Sequence, residues 1–243
     1  MFRTTFRSLF AALATLAVAA GLPAAAHAQN ASVYAVHGIP GNELGLDVAL
    51  PVDVAANGSC VPALAGFTFG EIRGPLSLPP GSYTIEVKLA NAISPCSGPT
   101  ALSTSVSLQP GGNYSLVAHL TDAAAPTLSA YVNDVSRTAP GTGRVAVHHT
   151  AAAPAVNITL RRGAGQGSAP GASIDGLANP GQVAASLTPG ESRLTIAPAS
   201  SPGTVVFGPT NVLFRPFTTT LVYAIGNIGS GTFRLVSTEI TSR

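Results

Sequence analysis

In Tyr83-Thr84-Ile85-Glu86-Val87-Lys88-Leu89, apolar and polar residues alternate without a break. That period of two predicts a half-buried strand, with Tyr83, Ile85, Val87 and Leu89 turned inward and Thr84, Glu86 and Lys88 in water. Residues 114–120 alternate less cleanly, and residues 219–225 are apolar almost throughout, the pattern of a central strand. Closing strands are predicted over residues 127–132 and 232–238. Between them stand turn formers such as Pro79-Pro80-Gly81, Pro110-Gly111-Gly112 and Pro189-Gly190. Short strands at near-regular spacing predict an all-β fold of antiparallel sandwiches.

The pattern occurs twice. Val33-Tyr34-Ala35-Val36-His37, followed by Leu46-Asp47-Val48-Ala49-Leu50, returns as Val145-Ala146-Val147-His148-His149, followed by Val156-Asn157-Ile158-Thr159-Leu160. Pro80-Gly81 ahead of Tyr83-Thr84-Ile85 returns as Pro189-Gly190 ahead of Leu194-Thr195-Ile196. Two tandem immunoglobulin-like β-sandwiches are therefore expected, residues 29–135 and 143–243, each near the usual size of one such domain. Residues 136–142, with Pro140 and Gly141, read as a short linker. Each copy has its own opening, alternating and closing strands, so the two are expected to fold separately. Tandem modules more often serve attachment, spacing or binding than catalysis.

The first residues indicate where the protein works. Arg3 and Arg7, an uncharged apolar run over residues 9–21, and Ala26-His27-Ala28 form a signal-peptide pattern, so residues 1–28 are expected to be removed. The run is shorter than the roughly 20 residues that cross a bilayer. An extracytoplasmic location (periplasmic, cell-surface or secreted) without a transmembrane segment in the mature chain is expected. Loss of Arg3 and Arg7 leaves ten basic residues against ten acidic ones, and Arg161-Arg162 is the one adjacent basic pair. Neither a nucleic acid nor an anionic membrane surface is expected as partner. Charged residues are 9% of the chain and apolar ones 46%, so a core is available while the surface must be wetted largely by hydroxyls. Cys60 and Cys96, both in the first copy, predict one disulfide in an oxidising compartment. Their separation does not match a Cys-x-x-Cys metal or redox site.

One resemblance rests on these short motifs. In copy one they are Ala35-Val36-His37 with Leu46-Asp47-Val48, Phe67-Thr68-Phe69-Gly70, Pro80-Gly81-Ser82-Tyr83 and Asn113-Tyr114-Ser115-Leu116. In copy two they are Ala146-Val147-His148, Ala153-Pro154-Ala155-Val156 and Pro189-Gly190. Together they resemble the secreted bacterial family catalogued as domain of unknown function 4397, in two tandem copies. The resemblance implies an immunoglobulin-like or related sandwich and carries over no activity. Its second-strand acidic residue corresponds to Asp47 in copy one and Asn157 in copy two, so no function of that carboxylate could be common to both.

Candidate chemistry is sparse. His37 and His148 close the first strands, where each imidazole is expected to bond a backbone group. His148 and His149 should point to opposite faces, which prevents joint chelation, and no metal or cofactor is expected. His119 reads as a partly covered surface residue. No Gly-x-Ser-x-Gly, His-Glu-x-x-His or Ser-x-x-Lys motif occurs. Gly163-Ala164-Gly165 meets Ser168 where a dinucleotide fingerprint needs glycine, and residues 162–172 read as a mobile loop. Asp47 and Asp53 are the one carboxylate pair considered for hydrolysis. No catalytic residue is assigned. The expected function is a non-catalytic interaction or structural module of the cell envelope, surface or extracellular matrix, with a protein or envelope polymer as partner. A carbohydrate- or envelope-polymer-binding protein is the second reading, and a hydrolase with an unrecognised site the third. Without tryptophan, sugar stacking would fall to Tyr34, Tyr131 or Phe217. The weak binding candidates are thus His37, His148, Tyr34 and Tyr131.

Overall fold

A computed structural model of the chain describes residues 28–163 and 169–242. The signal-peptide pattern over residues 1–27 lies outside the described residues, as do Ala164 and Gly165 of the glycine motif and the centre of the expected loop. Copy one contains β1 (Ala31–His37), β2 (Val52–Ala56), β3 (Ser59–Cys60), β4 (Ile72–Leu78), β5 (Gly81–Leu89), β6 (Thr100–Leu108), β7 (Asn113–Leu120) and β8 (Pro126–Val132). Copy two contains β9 (Gly143–His149), β10 (Val156–Arg162), β11 (Ala169–Leu177), β12 (Gln182–Leu187), β13 (Gly190–Pro198), β14 (Phe207–Phe214), β15 (Thr218–Ile225) and β16 (Arg234–Thr241). Among the described residues no helix is long and apolar enough to cross a membrane.

The strands form two pairs of four-stranded sheets. In copy one the orders are β4-β1-β7-β8 and β3-β2-β5-β6; in copy two they are β12-β9-β15-β16 and β11-β10-β13-β14. The expected all-β sandwiches are present, and each contains one parallel pairing, β1 with β7 and β9 with β15, among antiparallel ones. The alternation read in β5 places Ile85 and Val87 in the copy-one core with Val33, Val52, Val54, Phe67 and Leu116. Val145, Val147, Ile158, Leu160, Leu194 and Ile196 form the corresponding core of copy two.

β7 is buried along its whole length, and β15 from Thr219 onward. A sandwich interior explains only one face of each strand. The other faces meet one another. Tyr34, Val36, Val117 and Tyr131 of copy one pack against Ala146, Leu221, Tyr223 and Ile225 of copy two in a third apolar cluster. Polar bonds cross the same junction. Tyr131 Oη donates to the Pro180 carbonyl (3.1 Å), Asn179 Nδ2 to the Leu120 carbonyl (2.8 Å), and the Arg234 guanidinium lies 4.0 Å above the Phe69 ring. The copies approach closely here as well: a Cβ on Gly38 would stand 2.9 Å from Ile225 Cγ2. The connecting segment is part of this packing, since Thr138 is buried and Arg144 Nη1 donates to the carbonyls of Asp134 and Ser136, each at 3.0 Å. Separate folding of the copies was expected because a short polar linker is all the sequence reveals between them. The copies nevertheless share a buried apolar face, and unfolding measurements decide whether each still folds separately.

Cys60 and Cys96 are bridged, with Cα atoms 5.7 Å apart and a sequence separation of 36. The bond ties edge strand β3 to the loop between β5 and β6. A closed loop of that length restrains the unfolded chain by about 4 kcal/mol. Reduction should therefore lower the unfolding free energy by about that amount, read as a shift of the urea midpoint with and without reductant.

Candidate functional site

The second strand of copy one is displaced from its expected place. Leu46, Asp47 and Val48 lie in an exposed turn, and β2 begins only after Pro51. The residue corresponding to Asn157 is therefore Asp53, as Val52-Asp53-Val54 and Val156-Asn157-Ile158 occupy matching positions opposite Val87 of β5 and Ile196 of β13. Asp53 is 1% exposed and accepts from the main-chain N–H groups of Gly66 (2.9 Å), Asn91 (3.1 Å) and Cys96 (2.8 Å). Burial alone would raise its pKa, but these three donors outweigh burial and hold the carboxyl below its ordinary value. Asn157 Oδ1 accepts from Gly176 N (2.8 Å), the counterpart of the Gly66 bond. Gly66 and Gly176 both have positive φ, +59° and +67°, a conformation that glycine adopts without strain. Asp53 is thus a buried structural acceptor, and Asp47, whose Oδ1 takes the N–H of Ala49 (2.9 Å), is exposed. They do not form a glycosidase pair. Asp53→Ala should cost about 3 kcal/mol or more by leaving buried donors unmatched, whereas Asp53→Asn should cost less; urea unfolding of the two variants checks this.

All four described histidines are buried, with exposures of 1% or less. His37 bonds the Leu50 carbonyl through Nε2 (2.9 Å) and accepts from Ile39 N at Nδ1 (3.4 Å). Burial dominates and pulls its pKa down to about 4. Its counterpart is His149, not His148: His149 Nε2 bonds the Pro154 carbonyl (3.0 Å) from the same inner face. His148 turns outward into the junction, stacked on Tyr223 (4.5 Å between centroids) and edge-on to Tyr131 (4.8 Å). Its Nδ1 bonds the Val222 carbonyl (3.2 Å), and burial brings its pKa down to about 4. His148 and His149 thus face opposite ways along β9. His119, expected at the surface, is fully buried because copy two covers β7; it bonds the Leu120 carbonyl (2.8 Å) and Ser129 Oγ (2.9 Å).

Tyr34 and Tyr131 lie in the junction, 7% and 8% exposed, and offer no face for stacking a sugar. Burial pushes the Tyr131 phenol up to about 12. Phe217 remains exposed. Sequence reasoning missed a polar group within the junction. The Tyr223 hydroxyl and Ser115 Oγ stand 2.6 Å apart in a buried hydrogen bond, and Asn133 Nδ2 donates to Ser115 Oγ and Asn113 Oδ1, each at 2.8 Å. Among the described residues no three histidine, cysteine or acidic side chains stand together as a metal site.

Copy two contains an open arrangement. A slot of about 590 Å³ separates β14 from β16, with Leu194, Phe207, Thr210, Asn211 and Val212 on one wall and Thr220, Val222, Leu235, Ser237 and Glu239 on the other. Thr220 is 4% exposed, and its Oγ1 has no hydrogen-bond partner. By contrast, the void in the copy-one core measures about 40 Å³ and is lined by aliphatic side chains with His37 and Phe67.

A family model described as "Domain of unknown function (DUF4397)" matches residues 31–159, from β1 into β10. No curated protein matches the chain. Among solved structures, the chain resembles the TIE protein of Bacillus anthracis at 10% identity and a TM-score of 0.25, covering 82% of this chain and 34% of that one. A candidate cell adhesion protein from Bacteroides ovatus shows 8% identity and a TM-score of 0.24, covering 88% and 97%. A family 26 carbohydrate-binding module of Eubacterium rectale Amy13K, solved with maltoheptaose, shows 13% identity and a TM-score of 0.25, covering 86% and 97%. At such scores these resemblances bear on neither ligand nor activity.

Proposed function

The chain belongs to the family of domain of unknown function DUF4397, and on that premise we propose that it is an exported, non-catalytic interaction module of the cell envelope, surface or extracellular matrix. The observation that carries this reading is how its ionisable groups are used. The four described histidines each bond a main-chain carbonyl inside the fold, and Asp53 is committed to three main-chain donors. Groups held in that way stabilise strand ends and turns, whereas a hydrolase needs carboxylates or histidines converging on one pocket. The face-to-face junction supports the same reading, because stacked sandwiches present their remaining edges in a fixed relation.

The carbohydrate- or envelope-polymer-binding alternative is favoured by one feature, the two-walled slot of copy two. Retention of the purified protein on the envelope fraction of its host, alongside a panel of ester, glycoside and peptide substrates, tests the proposal. Retention without turnover is the expected result. Turnover that follows the protein through purification would overturn it.

A further inference from the structure

Strand register compares the two copies residue by residue. Val33 pairs with Tyr114 and Val145 with Thr220, so Thr220 holds the place of Tyr114. One strand further, Val132 and Ala130 of copy one correspond to Glu239 and Ser237 of copy two. On the facing sheet Tyr83, two residues after Gly81, corresponds to Ser192, two residues after Gly190. In copy one the Tyr114 ring fills the end of the core, and its hydroxyl accepts from Gln109 N (2.9 Å). Copy two has lost both rings. β6 rests against β8 in copy one, but β14 and β16 stand apart, and the slot occupies the space between them.

Both walls of the slot mix apolar and polar side chains. Its volume falls within the roughly 300–1,000 Å³ of small-ligand sites. One wall holds the half-buried ring of Phe207 beside Leu194 and Val212, together with Thr210 and Asn211. The other keeps the apolar Val222 and Leu235 but replaces Tyr, Ala and Val of copy one with Thr220, Ser237 and Glu239. Arg215 Nη1 lies 2.6 Å from Glu239 Oε2 and balances its charge. At the base, the Thr220 hydroxyl is buried without a partner, a cost that an incoming polar group would offset. A fitting ligand is uncharged and carries both apolar C–H surface and hydroxyls. A pyranose ring has those two aspects.

We infer that this slot binds a neutral oligosaccharide of hexose or N-acetylhexosamine units, with C–H faces on Leu194, Phe207 and Val212 and hydroxyls at Thr220, Ser237 and Glu239. The inference rests on the reading of the protein as a binding module and names its ligand class. An added peptide strand fits less well. β14, the edge it would extend, is interrupted by Gly208-Pro209, where proline offers no N–H to a new ladder.

Isothermal titration of the processed full chain with maltotriose, cellotriose, laminaritriose and chitotriose tests the site. At least one should bind. Thr220→Tyr restores the ring of copy one and should weaken that binding by about tenfold or more, with thermal stability unchanged or raised. Should Thr220→Tyr fail to fold, Glu239→Ala at the exposed rim serves instead and should weaken binding severalfold. Failure of all four sugars, or undiminished binding by the folded variants, overturns the inference. Retention on the envelope fraction by Thr220→Tyr and wild type alike would leave the interaction-module reading standing while removing the slot from it.

Discussion

Lowering the pH from about 7.5 to about 4.5 should destabilise the protein by several kcal/mol, well before its carboxylates are fully protonated. His37 and His148 have pKa values brought down from 6.5 to about 4 by burial, so the folded protein keeps both rings neutral while the unfolded chain takes up protons. Their contribution is complete above pH 6.5, declines as pH falls toward 4, and is constant below that. A displacement of that size is worth roughly 3 kcal/mol per ring, and two together approach the total stability of an ordinary domain, about 5–15 kcal/mol. His119 and His149, lowered chiefly by burial, act in the same direction. Asp53 and Asp134, whose pKa values are also lowered, add a further loss at more acidic pH. His148→Phe keeps a ring between Tyr131 and Tyr223 but cannot take up a proton. Its urea midpoint should decline less steeply between about pH 6.5 and 4 than that of the wild type. Parallel curves for the two proteins would remove His148 from the explanation.

Strand identity was legible wherever one face meets solvent. The alternation over 83–89 marks β5 with its buried side, because the other side of that strand needs polar residues. β7 and β15 were legible as buried strands, but the cause of their second apolar face was not. A run such as Leu221-Val222-Tyr223 reads the same whether it is covered within its own sandwich or by a neighbouring one. The position of β2 was misread for a related reason: Leu46-Asp47-Val48 and Val52-Asp53-Val54 both alternate, and only pairing with β5 decides which one joins the sheet. Aligning Val52-Asp53-Val54 with Val156-Asn157-Ile158 would have exposed the shared polar acceptor, since both precede a glycine turn.

The histidine register was ambiguous for a different reason. His148 and His149 are adjacent and either could be matched to His37, but face is a property of the sheet and not of the motif. Once β9 is seen to turn Val145 and Val147 inward, His149 follows at the same spacing. The slot was the least legible element. Tyr114 and Thr220 could be matched in sequence, yet a lost ring leaves a void only if neighbouring side chains do not close over it, and that is decided by the separation of β14 and β16.

Tyr223→Ala should weaken both sandwiches at once. Tyr223 is fully buried, with its ring against His148 and its hydroxyl bonded to Ser115 of the other copy. Deleting a buried aromatic side chain costs about 3–5 kcal/mol, and the Ser115–Asn133 group would lose a partner in addition. Tyr223→Phe keeps the ring and should cost only about 1 kcal/mol. The distinguishing feature is cooperativity. If the junction joins the copies into one unfolding unit, urea denaturation followed by far-ultraviolet circular dichroism should show a single transition in wild type and in Tyr223→Phe, displaced as a whole in Tyr223→Ala. The same physics predicts that residues 29–135 produced alone would expose Tyr34, Val36, Val117 and Tyr131 and associate through that face. Two well-separated transitions in the wild type, with Tyr223→Ala moving only one of them, would show that each sandwich holds itself and that the junction is merely contact.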